Sequence, residues 1–395
     1  MKVLFDHQAF SMQNYGGISR YFYEIMTRMR KNFDLQFDHS ILYSSNEYLK
    51  DRELFPLERE YAYKDWLPSI RFRGMYRIFH FFQWLGFLPF PERKMRKFIE
   101  YKIRKSDFDI FHPTYYDPYF IKILKKKKKP YVLTVHDFIH ELFPDYFSDA
   151  QRVIEQKRIM IQNASGIITI SESTKKDLFR FYDFDENKIK VIKHGVSFLP
   201  LSSDRSELFF DKKEYILFIG NRYHYKNFSF FLNSIEQIFR DFSTLNLICA
   251  GGGIFSADEI LLIKNLGLMD RIFQYDFKND QELIQYYKDA LLFVFPSQYE
   301  GFGIPLLEAF NCGCPVACSN TSSFPEVAGD AAFYFDPNDS DSIYKTVLEA
   351  INNQGLRKEK VRKGRIRIQE FSWDKATNET IRFYYNILGN LSGSE

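Results

Sequence analysis

The apolar positions of the chain gather in short continuous runs rather than alternating with polar ones, at 2–5, 110–112, 131–135, 167–170, 215–219, 245–250 and 291–295. A run of this length with no polar face is the pattern of a strand buried on both sides, as in a parallel sheet covered by helices. Several runs lead through a polar or glycine turn into helical spacing, as at 21–29 and 228–239. Repetition of strand, turn and helix predicts parallel α/β layers, in which ligands gather beyond the carboxyl ends of the strands. The series is interrupted once, at 197–213, where Pro200, Ser202, Ser203 and Asp204 have linker composition. The pattern therefore predicts two units, 1–197 and 198–370, followed by an amphipathic terminal helix within 371–395 that runs from Ser372-Trp373-Asp374 through Leu388.

Chemistry concentrates in the turns. After the run at 291–295 come Ser297, Glu300, Gly301, Phe302, Gly303, Ile304, Pro305 and Glu308. Pro305 suits the first turn of a helix, predicted to reach Asn311, and the two glycines leave backbone N–H groups uncovered at its N-terminus, a site suited to phosphate. On these residues alone, a ligand site and an ordinary strand-to-helix turn are equally open. Gly16 and Gly17 stand between the first strand and its helix, His136 and Asp137 end the run at 131–135, and Arg222 and Lys226 lie in the loop after 215–219. Two cations beside helix N–H groups would neutralise a diphosphate without a metal. Gly251-Gly252-Gly253 does not match the dinucleotide fingerprint.

The run EGFGIPLLE at 300–308, followed by AFNCGCPV, resembles the E-x7-E signature of retaining glycosyltransferases of family 4. The similarity covers most of the chain, strongest at 215–330 and weakest at 33–104. It implies the GT-B fold: two Rossmann-like α/β domains with parallel sheets facing a central cleft, the last helix crossing back onto the first domain. By the same resemblance, Glu300 lies against the donor sugar and Glu308 bonds the nucleotide ribose. Gly301, Phe302, Gly303 and Ile304 form the turn at the donor, and Gly16 and Gly17 face the diphosphate and acceptor. His136 points at the donor sugar, Arg222 and Lys226 hold the leaving group, and Phe277 ends the strand that meets the nucleobase, largely through backbone. The implied activity is retaining transfer from a nucleotide sugar such as a GDP- or UDP-sugar to a glycan or polyprenyl-diphosphate-linked acceptor in cell-surface polysaccharide synthesis, with no cofactor and no metal. A nucleotide-sugar epimerase of the same fold is the alternative, and a non-catalytic nucleotide-sugar-binding or membrane scaffold a further one.

Composition adds boundaries. At 395 residues the chain exceeds one ordinary core, and 43 Phe with 26 Tyr exceed what core filling needs. The net charge of +3 is near balance, yet 70–105 holds ten Lys and Arg against Glu92 and Glu100, about +8, around an aromatic stretch at 75–90. That stretch is too short and too interrupted to span a bilayer. Contact with an anionic membrane surface is one reading, to which Lys125 to Lys129 could add, and a helical hairpin with a solvated basic face is the other. A nucleic-acid partner is not expected. The cysteines at 249, 312, 314 and 318 read as buried reduced thiols rather than a disulfide framework or zinc site. Without an apolar signal core at the start, the expectation is a cytoplasmic protein. Asp107 with Asp109, and Asp183 with Asp185, match the D-x-D of metal-dependent transferases only by spacing, and His112 and His140 stay unassigned.

Overall fold

The structure, a computed structural model, describes residues 1–12, 15–30, 35–42, 44–49, isolated positions between 55 and 81, 91–196, 214–277 and 279–392. The linker at 197–213 and most of the aromatic stretch at 75–90 lie outside the described residues.

Strands β1 (Lys2–Phe5), β2 (Gln36–His39), β3 (Ile110–His112), β4 (Val132–Val135), β5 (Gly166–Thr169) and β6 (Ile189–Val191) form the first parallel layer. Their order is 2-1-3-4-5-6, with β3 joined to β4 through a parallel Phe111–Tyr131 bridge. Strands β7 (Tyr215–Ile219), β8 (Asn246–Ala250), β9 (Ile272–Tyr275), β10 (Leu292–Phe295), β11 (Val316–Ser319) and β12 (Phe333–Phe335) form the second, in the order 12-11-10-7-8-9. All pairings are parallel. Connections leave in opposite directions between β1 and β3 and again between β7 and β10, so each sheet has a crevice at the carboxyl ends of those strands. Every residue of β4, β5, β8 and β10 is buried, which is why their sequences read as unbroken apolar runs.

Some predicted elements change shape. The helix expected at 228–239 is two, Phe228–Ser234 and Glu236–Asp241, broken at Ile235. The Ser234 hydroxyl bonds the Phe230 carbonyl at 2.8 Å, the back-bonding that bends helices. β9 stops at Tyr275, short of Phe277. The helix after β10 spans Ile304–Cys312, entered through Gly303 at φ 96° and left through Gly313 at φ 72°. Pro91–Lys105 is a helix whose Met95, Ile99 and Ile103 are buried at four-residue spacing while Arg96, Lys97 and Arg104 face outward. Lys127 and Lys129 of the lysine run turn to Ser106 and Asp107 at its end. Among the described residues, no helix is long and apolar enough to cross a membrane.

The last helix, Trp373–Ser392, rests on the first sheet. A Cβ on Gly166 of β5 would come within 2.6 Å of Ile387 and 2.8 Å of Phe383, and the Tyr384 hydroxyl meets Nδ1 of His112 at 2.5 Å. The other ring nitrogen of His112 meets Thr134 at 2.9 Å, so this histidine ties helix to sheet. Asp109 accepts from the Lys2 N–H of β1 at 2.7 Å and Asp185 from that of Asn187 at 3.0 Å, so one aspartate of each D-x-D pair is taken up in a backbone bond. All four cysteines are free thiols, and no group of metal-ligand type occurs among the described residues.

Candidate active site between the two sheets

The loops that leave β7 and β10 meet at the second crevice. Lys226 Nζ lies 2.5 Å from Glu300 Oε1, both side chains about four-fifths buried, and the Gln298 N–H donates to the Tyr225 carbonyl at 2.8 Å. The turn at 300–303 is held from behind. Ser322 and Ser323 donate to the Glu300 carbonyl, Ser323 also to that of Phe302 at 2.8 Å, and Thr321 to that of Gln298 at 2.9 Å. From the first layer, Ser171, which caps the Glu172–Phe181 helix, donates to the Gly301 carbonyl at 2.7 Å. A Cβ on Gly301 would stand 1.8 Å from the His136 carbonyl, so at this point backbone touches backbone across the cleft and only glycine fits.

His136 thereby sits beside the Glu300–Gly301 turn. Its ring packs against Tyr21 and Phe22 at 5.3 and 5.9 Å, and Nε2 is buried without a hydrogen-bond partner. Burial, with Lys157 adding to it against Asp137, lowers its pKa to about 4, so the ring is neutral near pH 7. His194, also without a hydrogen-bond partner, stacks on Tyr21 at 5.1 Å and meets Phe302 at a tilt at 4.8 Å, and burial takes its pKa well below the usual value.

Glu308 lies one turn into the Ile304–Cys312 helix and is 7% exposed. One oxygen accepts from Tyr287 at 3.0 Å and the other from Arg20 Nη1 at 3.0 Å, an arginine of the Gly17–Met29 helix. Arg20 also pairs with Asp280 at 3.5 Å, and Tyr15 donates to Asp280 at 2.6 Å while its ring meets Phe277 edge-on at 6.1 Å. Burial pushes the Glu308 pKa up, and Arg20 opposes that. Gly17 faces the Ile304 side chain, at 3.7 Å from a would-be Cβ. Gly16 precedes that helix with φ 174°, extended backbone that needs no glycine.

Arg222 is placed differently from the expectation. It is 4% exposed, its Nε pairs with Glu259 at 2.9 Å, and its other nitrogens donate to the carbonyls of Gly251, Gly253 and Ile254 at 3.0, 2.8 and 3.1 Å. Gly251, Gly252 and Gly253 all have φ near +74°, which turns their carbonyls onto this guanidinium. The structure brings Lys226, Glu300 and His136 together, and in it Arg222 bonds Glu259 and the glycine loop. Neither the Glu259 partner nor the link from Arg20 to Glu308 shows in the turns taken one at a time, although Arg20 stands four residues after Gly16 and Asp280 five after Tyr275.

Sequence models of two families tile the chain: Glycosyltransferase Family 4 over residues 15–198 and Glycosyl transferases group 1 over 202–367. The chain is a family 4, group 1 glycosyltransferase. Similar curated proteins include O-antigen chain mannosyltransferase B of Escherichia coli, 29% identical over 74% of this chain and 77% of that protein. The O-antigen chain mannosyltransferase RfbU of Salmonella typhimurium is 29% identical over 53% of this chain and 58% of its own. Among solved structures, sucrose-phosphate synthase from Thermosynechococcus elongatus superposes with a TM-score of 0.72 at 15% identity, over 99% of this chain and 100% of the other. Anabaena HepE, solved with UDP and glucose, gives 0.66 at 16% identity over 99% of each chain. The glycosyltransferase thus has the GT-B fold, the cleft described above lying between its two sheets.

Proposed function

We propose that this glycosyltransferase moves a hexosyl group, mannosyl in the first instance, from a nucleoside-diphosphate sugar to a hydroxyl of a glycan or lipid-linked acceptor in O-antigen-like polysaccharide synthesis, with retention and without a metal. The observation that carries the reading is the Lys226–Glu300 pair at the crevice between β7 and β10, with His136 against the next residue. The mannosyl assignment rests on the names of the relatives above.

In this reading, the ammonium of Lys226 turns from Glu300 to the incoming diphosphate, joined by the N–H groups of Phe302 and Gly303 at the start of the Ile304–Cys312 helix. Charge developing on the leaving phosphate is then met by fixed donors, which favours early departure. Glu300, released from its partner, lies against the electron-poor sugar, and the unpaired nitrogen of His136 bonds a donor hydroxyl. Glu308 bonds the ribose. In this same-face route the departing phosphate oxygen accepts the acceptor's proton on its own face.

The acceptor is assigned to a cavity of about 600 Å³ at the first crevice, where β1 and β3 end. Tyr115, Tyr119, Gln8, Asp117, His140 and Arg152 line it, a mix of rings and paired charges suited to a sugar. Asp6 holds two of these from behind, accepting from the Gln8 side-chain amide at 2.6 Å and the Tyr119 hydroxyl at 3.2 Å. Peripheral contact with an anionic membrane belongs to the same proposal, through the outward cations of Pro91–Lys105.

Thermal shift against a panel of nucleotide sugars tests the reading. A ligand at a hundred times its dissociation constant adds roughly 2.7 kcal/mol of stability. A shift from one donor that is lost in Glu308→Ala supports it, and no shift from any GDP- or UDP-sugar contradicts it.

A further inference from the structure

The cleft is bridged by an arginine that no part of the reaction above uses. Arg20 lies in the first turn of the Gly17–Met29 helix, on the first half of the chain, yet it meets two carboxylates of the second: Glu308 at 3.0 Å and Asp280 at 3.5 Å. Its side chain is 6% exposed and that of Glu308 9%, so the pair is largely buried, with Glu308 keeping a small open edge. Tyr15, from the loop before the same helix, adds its bond to Asp280. Tyr48 flanks the group, its ring stacked on Tyr15 at 5.1 Å and 6.0 Å from the Arg20 guanidinium.

An ionised carboxylate offers about four acceptor positions. Tyr287 and Arg20 each take one on Glu308, one per oxygen, which leaves room for two further donors in a fixed plane. The adjacent hydroxyls of a ribose are such a pair. A buried carboxylate stripped of its cation takes up a proton instead and loses acceptor capacity. Because the cation comes from the opposite half, it reaches Glu308 only when the halves are together.

We propose that Arg20 is a positioning residue which fixes the Glu308 carboxylate for the ribose hydroxyls of the nucleotide, and so makes ribose recognition depend on closure of the cleft. The inference rests on the reading that Glu308 faces the ribose. A ligand that needs the oriented carboxylate binds the closed arrangement better and shifts the protein toward it, in proportion to that difference in affinity.

The test is calorimetric binding of GDP and UDP, each against its 2′-deoxy counterpart, to the full chain. Removing a hydrogen bond to a charged group costs about tenfold or more in affinity, so the wild type should prefer the ribonucleotide by that factor. In Arg20→Met the preference should collapse to about twofold or less, because the carboxylate that reads the hydroxyl is no longer held. Arg20→Lys keeps the charge without the fork that spans two carboxylates, and should lose about threefold or more of the preference. If Arg20→Met does not fold, the lysine variant carries the test alone.

Equal weakening of ribo- and deoxyribonucleotide, with the preference intact, would reduce Arg20 to a structural clamp and overturn the inference. A wild type that binds a nucleotide with no ribose preference overturns it too, while the donor reading stands. If the wild type binds neither GDP nor UDP, the donor reading fails and the inference goes with it.

Discussion

At the scale of single residues, Arg222 and Lys226 separate two ways in which one loop can hold a cation. Both sit in the loop after β7, but Lys226 faces a carboxylate in the cleft while Arg222 is enclosed by Glu259 and four carbonyls. Lys226→Ala should cut turnover by about a hundredfold, the loss of one transition-state donor, with little change in melting temperature. Arg222→Ala should instead lower the melting temperature, since it leaves Glu259 and the glycine carbonyls without their partner. Steady-state rates and melting curves of the two variants decide this. A hundredfold loss in Arg222→Ala at an unchanged melting temperature would return Arg222 to the diphosphate. The sequence could show that two cations share a loop; it could not show which way each points, because the Glu259 partner lies 37 residues on.

The buried histidines make a second prediction at this scale. Burial lowers the pKa of His112 to about 3 and of His136 to about 4, and His194 falls well below the usual 6.5. Unfolded, each takes up a proton below 6.5; folded, it does not. In that window the unfolded chain binds more protons, so stability falls as pH falls, by up to about 1.4 kcal/mol per pH unit for each group. Melting temperatures at pH 7.5, 6.5 and 5.5 should drop on the acid side, and less steeply in His194→Asn. Glu308, held above the usual carboxylate range, acts in the opposite sense just above 4.5, which the same variant leaves untouched.

At the scale of elements, turns carry the site and strands only aim it. Gly301 is the sharpest case, because a methyl group there meets the His136 carbonyl and the two backbones must part. Gly301→Ala should reduce kcat/KM by about a hundredfold or more through misplacement of the reacting groups, while leaving each sheet intact. Kinetics with far-ultraviolet circular dichroism checks both halves of that statement; near-normal activity would show that the contact is not needed for catalysis. The crossing helix offers a matching test, since Gly166→Val would collide with Ile387 and Phe383 and should lower stability by roughly 1–3 kcal/mol, read from denaturant unfolding. Strands buried on both faces were legible because their apolar runs are continuous, as in β8 and β10. The helix at 228–239 was overdrawn because hydrophobic spacing does not register a hydroxyl turned back on its own helix, and β9 was drawn two residues too long.

At the scale of the whole molecule, the two crevices face one cleft, and the contacts that span it come from residues far apart in sequence. Ser171 with Gly301, and Arg20 with Glu308, join positions 130 and 288 residues apart. Such pairings leave no periodic trace, so the sequence conveyed that there are two halves and not how they lock. The basic outer face of Pro91–Lys105 bears on association with a surface. Binding to anionic vesicles should weaken as salt rises, since exposed charges are screened beyond roughly 8 Å at physiological ionic strength. Equal recovery on neutral and anionic vesicles would remove the electrostatic contact.

The central claim is that leaving-group charge is met by Lys226 and a helix terminus, and that the acceptor attacks from the leaving-group side. Proton NMR of the product, formed from an anomerically defined nucleotide sugar in the presence of excess EDTA, tests this most directly. The account predicts a new glycosidic linkage with the donor's anomeric configuration at an undiminished rate. An inverted anomer, or activity lost in EDTA and restored by manganese, would contradict it.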